Sequence, residues 1–181
     1  RDGRGHDETI ATVQLDFSQP DRFGLSYQAA DGSRQRVVMI HRGTVGSMER
    51  VVAALLERYQ GRLPLWLAPV QLCVMPVSPA QDDAARDLLD DVCAAGLRGV
   101  LEVEGSLGAR VRASRQRRDH VIAVAGEEEV VASEVQVVDV SAGFRGSVPR
   151  SDLVDLLSRS YADRVGNIDW PRNASASAAP V

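Results

Sequence analysis

Hydrophobic and polar residues alternate in the first part of the chain, as they do in strands with one covered and one open face. From Ile10 to Phe17 the polar residues Thr12 and Gln14 fall on one side and apolar residues on the other. A second short strand is predicted over Gly24–Gln28, and the continuous apolar run Val37–Ile40 predicts a buried third strand. These three segments are therefore predicted to form an antiparallel meander.

A glycine turn and a helix follow the third strand. Gly43 and Gly46 supply the turn, and Ser47 begins a helix that the spacing of apolar residues extends to about Gln60. Backbone N–H groups and the helix dipole favour an anion at such a mouth, and Arg50 adds positive charge one turn inside. The pattern fits a phosphate site. It fits equally an ordinary strand-to-helix corner in which Arg50 pairs with a nearby acid.

The second part of the chain alternates strands with helices. Strands are predicted at 70–77, 100–103, 121–125 and 135–140, and helices at 79–95, 107–118 and 150–165. This order predicts a three-layer α/β domain with a mostly parallel, five-stranded type of sheet. The chain as a whole is predicted to be α/β (α+β overall), with domains at 1–62 and 63–166 and a disordered low-complexity tail at 167–181.

Composition narrows the function classes. The 181 residues are 44% hydrophobic and 25% charged, and the net charge is −4, so the surface as a whole does not indicate a nucleic-acid binder. No apolar run approaches the ~20 residues of a membrane span, and Cys73 and Cys93 are expected to be buried free thiols of a reducing compartment. The chain starts on a charged loop without Met, and we expect a C-terminal piece of a longer cytoplasmic protein.

One arginine cluster stands out from this acidic background. Five of the 21 basic residues, all of them arginine, lie within nine positions at Arg110, Arg112, Arg115, Arg117 and Arg118. Such a local excess of positive charge predicts contact with RNA. A solvated helix face paired with acids such as Glu127 and Glu128 explains the cluster equally well.

The wording of residues 37–50, VVMIHRGTVGSMER, is more specific than its pattern. An apolar strand, His-Arg and then Gly-Ser-x-Glu-Arg resembles motif 3 of the class II aminoacyl-tRNA synthetases, in the version used by threonyl-tRNA synthetases. Residues 11–27 resemble the preceding strands of that family, and residues 61–72 resemble its linker to the anticodon-binding domain. The resemblance covers roughly residues 10–160. It implies the end of a class II antiparallel catalytic core followed by an anticodon-binding domain.

The resemblance implies roles for residues of the first part. Arg50 matches the motif 3 arginine that contacts ATP (with Mg²⁺), Ser47 matches a residue of the same pocket, and Thr12 and Gln14 match contacts to the nucleotide or the bound amino acid. His41 matches one of three protein ligands of a Zn²⁺ ion that binds threonine. The other two ligands, a Cys and a His, would precede residue 1. On pattern alone, a histidine after a strand is more often a packing residue.

The second part carries the implied tRNA contacts. Glu129 matches a position that reads an anticodon base, and Arg110 and Arg112 are the arginines predicted to contact tRNA. The implied partners are a threonine acceptor tRNA, ATP and threonine, with no membrane, and the implied parent is a homodimeric threonine–tRNA ligase. Motifs 1 and 2 are not in this sequence, so the fragment alone is expected to be inactive.

Several positions depart from the family. Thr9 stands where a nucleotide-contacting glutamine is usual, and Asp119-His120 replaces the usual Val-Pro. Val138 stands where the family has an arginine one strand beyond Glu129, and a valine cannot hydrogen-bond a base edge. A second hypothesis follows from these losses. The chain would then be a synthetase-derived paralogue that acts as a tRNA-binding, regulatory or biosynthetic-pathway module. A decayed gene remnant is a third hypothesis.

Overall fold

The computed structural model describes residues 3–171, and the chain divides into two compact units. The first unit is Arg1–Arg58 and the second is Tyr59–Val181. The boundary lies a few residues before the predicted one at residue 62. Within residues 3–171 no helix is both long enough and apolar enough to cross a bilayer.

The first unit contains two small sheets instead of one meander. Its elements are β1 (Thr12–Asp16), α1 (Ser18–Arg22), β2 (Ser26–Gln28), β3 (Arg34–Arg36), β4 (Met39–Gly43) and α2 (Met48–Arg58). Strand β1 pairs antiparallel with β4, and β2 pairs antiparallel with β3. The predicted meander is wrong because a local hairpin intervenes. Gly32 takes a φ of +80°, and Asp31 accepts hydrogen bonds from the N–H and hydroxyl of Ser33, so β2 closes on its immediate neighbour.

The apolar face of the β1–β4 pair is open among the described residues. Val13 is 68% exposed and Ile40 64% exposed, and Leu15, which pairs with Ile40, is exposed on the same face. Helix α2 has no buried residue. The expectation that Val37–Ile40 is buried is therefore wrong for this chain. An apolar run shows that a strand needs a cover, but it does not show which part of a protein supplies that cover.

The second unit is a five-stranded mixed sheet with helices. Its elements are β5 (Leu72–Pro76), α3 (Asp82–Ala94), β6 (Gly99–Leu101), α4 (Leu107–Arg117), β7 (Val121–Ala125), α5 (Glu127–Val131), β8 (Glu134–Asp139), β9 (Phe144–Pro149) and α6 (Arg150–Ala162). The strand order is β6-β5-β7-β8-β9, parallel across β6-β5-β7 and antiparallel across β7-β8-β9. The predicted α/β class and the five-stranded sheet are confirmed, although β9 was not among the four strands predicted. The parallel character is limited to one half of the sheet.

Helices cover this sheet on both faces. On one face, Leu88 of α3 and Leu153 of α6 pack with Val74 and Val137 in the main core. On the other face, α4 packs over a smaller cluster that includes Cys73. Burial raises the pKa of the Cys73 thiol to about 12, so this cysteine stays protonated and inert. Cys93 is also free but exposed, contrary to the expectation that both cysteines are buried.

The second unit continues past the predicted domain end at residue 166. Ile168 and Trp170 are buried in the main core, the Trp170 indole N–H donates to Asp139 Oδ2 at 2.9 Å, and its ring stacks on Phe144 at 4.7 Å. The predicted disordered tail therefore begins too early. Its remaining part, residues 172–181, lies outside the described residues.

His120 is a buried titratable group at the start of β7. Its Nδ1 lies 3.0 Å from the Leu63 carbonyl oxygen, so Nδ1 donates, and its buried Nε2 has no partner in the described part of the chain. Burial holds the pKa of His120 below its usual 6.5, and the charge of Asp139 opposes that shift without cancelling it. Protonation would place an N–H at Nε2 with nothing to accept it.

We therefore expect acid to destabilise the second unit through His120. The unfolded chain binds this proton more readily than the folded one. The contribution of neutral His120 to the free energy of unfolding is therefore fully present above pH 6.5 and decreases as the pH falls below it. The loss from one such group is at most about 1.4 kcal/mol per pH unit. Urea unfolding of the wild-type chain and of His120→Gln between pH 7.5 and pH 5.5 measures it. Equal slopes for the two proteins would contradict the assignment.

Candidate functional site

The β1–β4 pair places three of the predicted site residues of the first unit, Thr12, Gln14 and His41, on one face. Gln14 pairs with His41 and Thr12 pairs with Gly43, so the four residues share a side of the two-stranded sheet. Thr12 Oγ1 would lie 3.3 Å from a Cβ added at Gly43. The residue after the His-Arg pair is therefore a glycine in close contact with the threonine that faces it.

Asp16 on the same face holds His41. His41 Nε2 lies 2.9 Å from Asp16 Oδ2, and the Asp16 carboxylate also accepts the N–H groups of Ser18 and Gln19 at the start of α1. The bond from Gln19, followed by the one from His41, lowers the pKa of Asp16 below its usual 3.8. A cavity of about 620 Å³ beside this pair is lined by Gln14, Asp16 and His41 among others. It is a polar pocket around a fixed imidazole.

The described residues do not complete a metal site. Within residues 3–171 no group of three His, Cys, Asp or Glu side chains lies close enough to hold a metal ion. His41 has one carboxylate beside it, whereas a Zn²⁺ ion that must also bind a substrate takes three protein ligands. Zinc therefore does not fit this chain by itself.

Ser47 and Arg50 lie at the start of α2. The Ser47 hydroxyl donates to Glu49 at 2.8 Å and accepts the Arg50 N–H at 3.3 Å. The Arg50 guanidinium contacts the Thr9 carbonyl oxygen at 3.4 Å and the Glu8 carboxylate at 3.6 Å. Arg50 is half-exposed, and its partners here are the nearby acid and carbonyl that an ordinary helix surface would offer.

Arg50 and Gln14 therefore occupy different concavities. Arg50 lines a groove of about 520 Å³ along α2, together with Glu8 and Glu57. Gln14 and His41 line the polar cavity described above. The structure brings Gln14, His41 and Thr12 onto one face and puts Ser47 beside Arg50.

In the second unit, the arginine cluster divides by burial. Arg110 is only 6% exposed, and its guanidinium donates to the Pro76 and Glu102 carbonyl oxygens, both at 2.8 Å. Arg117 is paired with Glu102 and with Asp119, and Arg118 donates to the Gln60 carbonyl oxygen. These three arginines fasten α4 and its end to the domain.

The two arginines of the cluster that can contact another molecule are Arg112 and Arg115. Both are exposed, and neither has an ion pair within residues 3–171. The acids used by the cluster are Glu102 and Asp119 rather than Glu127 and Glu128, so the predicted pairing is wrong in its partners. The expectation that part of the arginine cluster pairs with acids is confirmed, since Arg117 pairs with both of these carboxylates.

A groove of about 380 Å³ opens between α4 and the β7–β8–β9 half of the sheet. Its apolar floor includes Ile122, Val124 and Val138. Its polar lining is Arg115, Glu129, Gln136 and Arg145. Glu129, predicted from the sequence, is half-buried here.

Sequence reasoning missed Gln136 and Arg145. Gln136 could have been found from the alternation of β8, where Gln136 and Val138 fall on the same side. Arg145 could not, because β9 has little apolar pattern and was not predicted as a strand. Its place in the groove depends on its register opposite Val138.

Gly126 allows Glu129 to reach this position. A Cβ added at Gly126 would collide with Glu129 Oε2, so the carboxylate lies against the backbone where α5 begins. Any larger residue at position 126 would force the carboxylate to move. The glycine therefore supports the site without contacting a ligand.

Comparison with known proteins identifies the two units. The family model of the tRNA synthetase class II core domain (G, H, P, S and T) matches residues 3–59, and that of an anticodon binding domain matches residues 71–160. The two matches together cover most of the chain. The chain belongs to the class II aminoacyl-tRNA synthetases. The first unit is part of a class II core, and the second is the anticodon-binding domain.

Several curated threonine–tRNA ligases are similar to this chain. Those of Thermus thermophilus and Synechococcus elongatus are 37% identical over 165 residues and 38% identical over 160 residues. The matches cover 91% and 88% of this chain but 25% and 26% of the relatives, so the chain spans about a quarter of their length. These relatives and both domains fit a fragment of such an enzyme.

A solved class II synthetase has a similar fold. The crystal structure of the RNA binding domain of threonyl-tRNA synthetase from Cryptosporidium parvum superposes with a TM-score of 0.75 at 28% sequence identity. The match covers 87% of this chain and 40% of that one. The resemblance stated from the sequence is therefore confirmed at the level of family and fold.

The arginines of α4 should separate by function when they are replaced. Arg110→Ala removes the donor from two carbonyl groups and opens a buried space, so we expect it to lower the free energy of unfolding by about 2–4 kcal/mol. Arg112→Ala removes an equal charge from the same helix at an exposed position. This substitution should change the free energy of unfolding by less than about 0.5 kcal/mol. Urea unfolding of both variants measures the difference. Similar losses would contradict the division by burial.

Proposed function

We propose that this chain is part of a threonine–tRNA ligase, an enzyme that activates threonine with ATP and transfers it to a threonine acceptor tRNA. The observation that supports this most strongly is that similarity to threonine–tRNA ligases runs through both units, over 91% of the chain for one relative. Use of ATP follows from the reaction of the family. Mg²⁺ bound with ATP, a homodimeric parent and a cytoplasmic location belong to the same proposal.

The first unit supplies part of the ATP and threonine pocket. Arg50 contacts ATP, because a planar guanidinium can both stack on a base and bond a phosphate. Ser47 positions it through the hydroxyl that accepts the Arg50 N–H. Thr12 and Gln14 line the pocket from the face that they share with His41. In the parent, His41 would be one ligand of a Zn²⁺ ion whose other ligands come from outside this sequence.

The second unit binds the anticodon arm. Glu129 is a half-buried carboxylate in a groove, and it has no hydrogen-bonded partner within residues 3–171, so it can accept from base N–H groups. Arg112 lies on the exposed side of α4, where it can contact RNA phosphates. Arg110 contributes indirectly, since its bonds to Pro76 and Glu102 position that helix.

A synthetase-derived paralogue without aminoacylation is the second candidate. Val138 favours it, because valine in the groove offers no hydrogen bond to a base. Such a module would keep RNA affinity and lose preference for a particular anticodon. The two candidates therefore differ in what they require of the groove that contains Glu129.

Catalysis is the first property to measure. The isolated 181 residues should show no threonine-dependent exchange of pyrophosphate into ATP. The motif 2 arginine that grips the α-phosphate is not in this sequence, and the described residues hold no complete metal site. A full-length threonine–tRNA ligase assayed in parallel is the control. Robust exchange by this chain alone would overturn the assignment of the first unit as a partial pocket.

RNA binding tests the second unit. We expect the chain to bind a threonine anticodon stem-loop more tightly than the same stem with a scrambled loop, as measured by fluorescence anisotropy at several salt concentrations. Arg112→Ala should weaken both RNAs alike and lower the slope of log affinity against log salt by about 0.7, because one phosphate contact is lost. Glu129→Gln should reduce only the preference between loops. Tight binding without any loop preference would favour the paralogue.

A further inference from the structure

Position 138 of the groove carries no positive charge, but an arginine on the neighbouring strand supplies one to the same groove. Val138 lies in β8, and the register of β8 with β9 places Arg145 directly opposite it. Directly opposed residues of an antiparallel pair project to the same face with Cβ atoms about 4.5–5.5 Å apart. Both residues line the groove. An arginine side chain is long enough to bridge that distance, so the Arg145 guanidinium can reach the space beside Val138.

We propose that Arg145 reads an anticodon base together with Glu129, taking the place of the arginine that the family carries at position 138. This inference rests on the proposed function of the second unit. It concerns a residue to which the resemblance assigns no role, on a strand that the sequence pattern did not predict. The groove then contains a complete recognition pair, one acceptor and one donor.

The chemistry of this pair selects guanine. The Watson–Crick edge of guanine offers the N1–H and N2–H donors, which a carboxylate such as Glu129 accepts. Its other edge offers the acceptors O6 and N7, which a guanidinium binds in bidentate fashion. Adenine has an acceptor at N1, which cannot donate to the Glu129 carboxylate. It has a donor at N6, which cannot accept from the Arg145 guanidinium.

The rest of the lining suits a base. A volume of about 380 Å³ is at the lower end of the range of about 300–1,000 Å³ for ligand pockets. The floor of Ile122, Val124 and Val138 is an apolar surface on which a flat ring can lie. Gly108, in the first turn of α4, lines the helix side of the same groove, and the Arg112 guanidinium lies 3.5 Å from the position of a Cβ added there.

Arg115 is the competing arginine. It lines the groove from α4, whereas Arg145 lines it from the sheet. Arg115 is exposed and follows Arg112 by three positions on the helix, so the two can contact the RNA backbone together. Arg145 is half-buried beside the apolar floor, where a planar contact with a base edge is favoured.

The test measures affinity of the whole chain for a threonine anticodon stem-loop by fluorescence anisotropy. The loop carries, at its anticodon guanine, either guanine, 7-deazaguanine, which lacks the N7 acceptor, or inosine, which lacks the 2-amino group. The proteins are wild type, Arg145→Ala, Arg145→Ala with Val138→Arg, and Arg115→Ala. Arg86→Ala is the matched control, since it removes an exposed arginine of α3, a helix that packs on the opposite face of the sheet.

We expect Arg145→Ala to weaken binding of the guanine loop about tenfold, the usual scale for a bidentate contact to a base. Wild type should bind the 7-deazaguanine loop more weakly than the guanine loop. With the 7-deazaguanine loop, Arg145→Ala should cause little further loss of affinity. Inosine should lower the affinity of wild type and of Arg145→Ala by the same factor, because the missing 2-amino group is a donor to Glu129 and not a partner of Arg145. Adding Val138→Arg to Arg145→Ala should recover most of the affinity, and Arg86→Ala should match wild type for every loop.

Each failure has its own signature. If wild type distinguishes guanine from 7-deazaguanine but Arg145→Ala does so equally well, the inference is wrong and the proposed function stands. If Arg115→Ala instead abolishes that distinction, the base is read from α4. If wild type binds no stem-loop better than a scrambled one, both the inference and the tRNA-binding function fail. The 7-deazaguanine comparison uses unmodified protein, so poor folding of a variant cannot obscure it.

Discussion

The register of the antiparallel pair β8–β9 determines which chemistry the second unit can perform. Side chains alternate between faces along a strand, so a slip of one residue would move Arg145 from the groove to the core face. Several contacts oppose that slip. Phe144, next to Arg145, stacks on Trp170, and the Trp170 indole N–H is held by the buried carboxylate of Asp139. The C-terminal segment thus fixes the register from the far side of the sheet.

A buried arginine places the opposite wall of the groove. Arg110 ties α4 to the carbonyl oxygens of Pro76 and Glu102, at or just beyond the ends of two parallel strands. A guanidinium in this setting is stable because its charge meets peptide oxygens in place of water. The same helix then presents Arg112 and Arg115 outward. One charge of the cluster is used to position the others, and this explains why an arginine-rich helix of low amphipathicity packs stably on the sheet.

The sequence predicted what depends on local chemistry and missed what depends on distant partners. The strand of His41, the helix that begins near Ser47 and the groove acid Glu129 were all found from pattern or resemblance. The burial of Arg110 was not, because nothing near it in sequence shows that Pro76 will lie beside it. The groove arginine Arg145 was missed for the same reason: its strand is weakly apolar, and only pairing with β8 gives it a face.

The first unit shows the opposite balance between local and distant contacts. Its polar face is organised within the chain, since Asp16 fixes His41 and begins α1, while its apolar face, with Val13 and Ile40, has no cover among the described residues. Exposed apolar area of this kind is unfavourable in water at about 25 cal/mol per Å². The second unit, by contrast, buries a full core. Stability of this chain should therefore come mainly from the second unit, and partners that cover Val13 and Ile40 should stabilise the first without altering the groove.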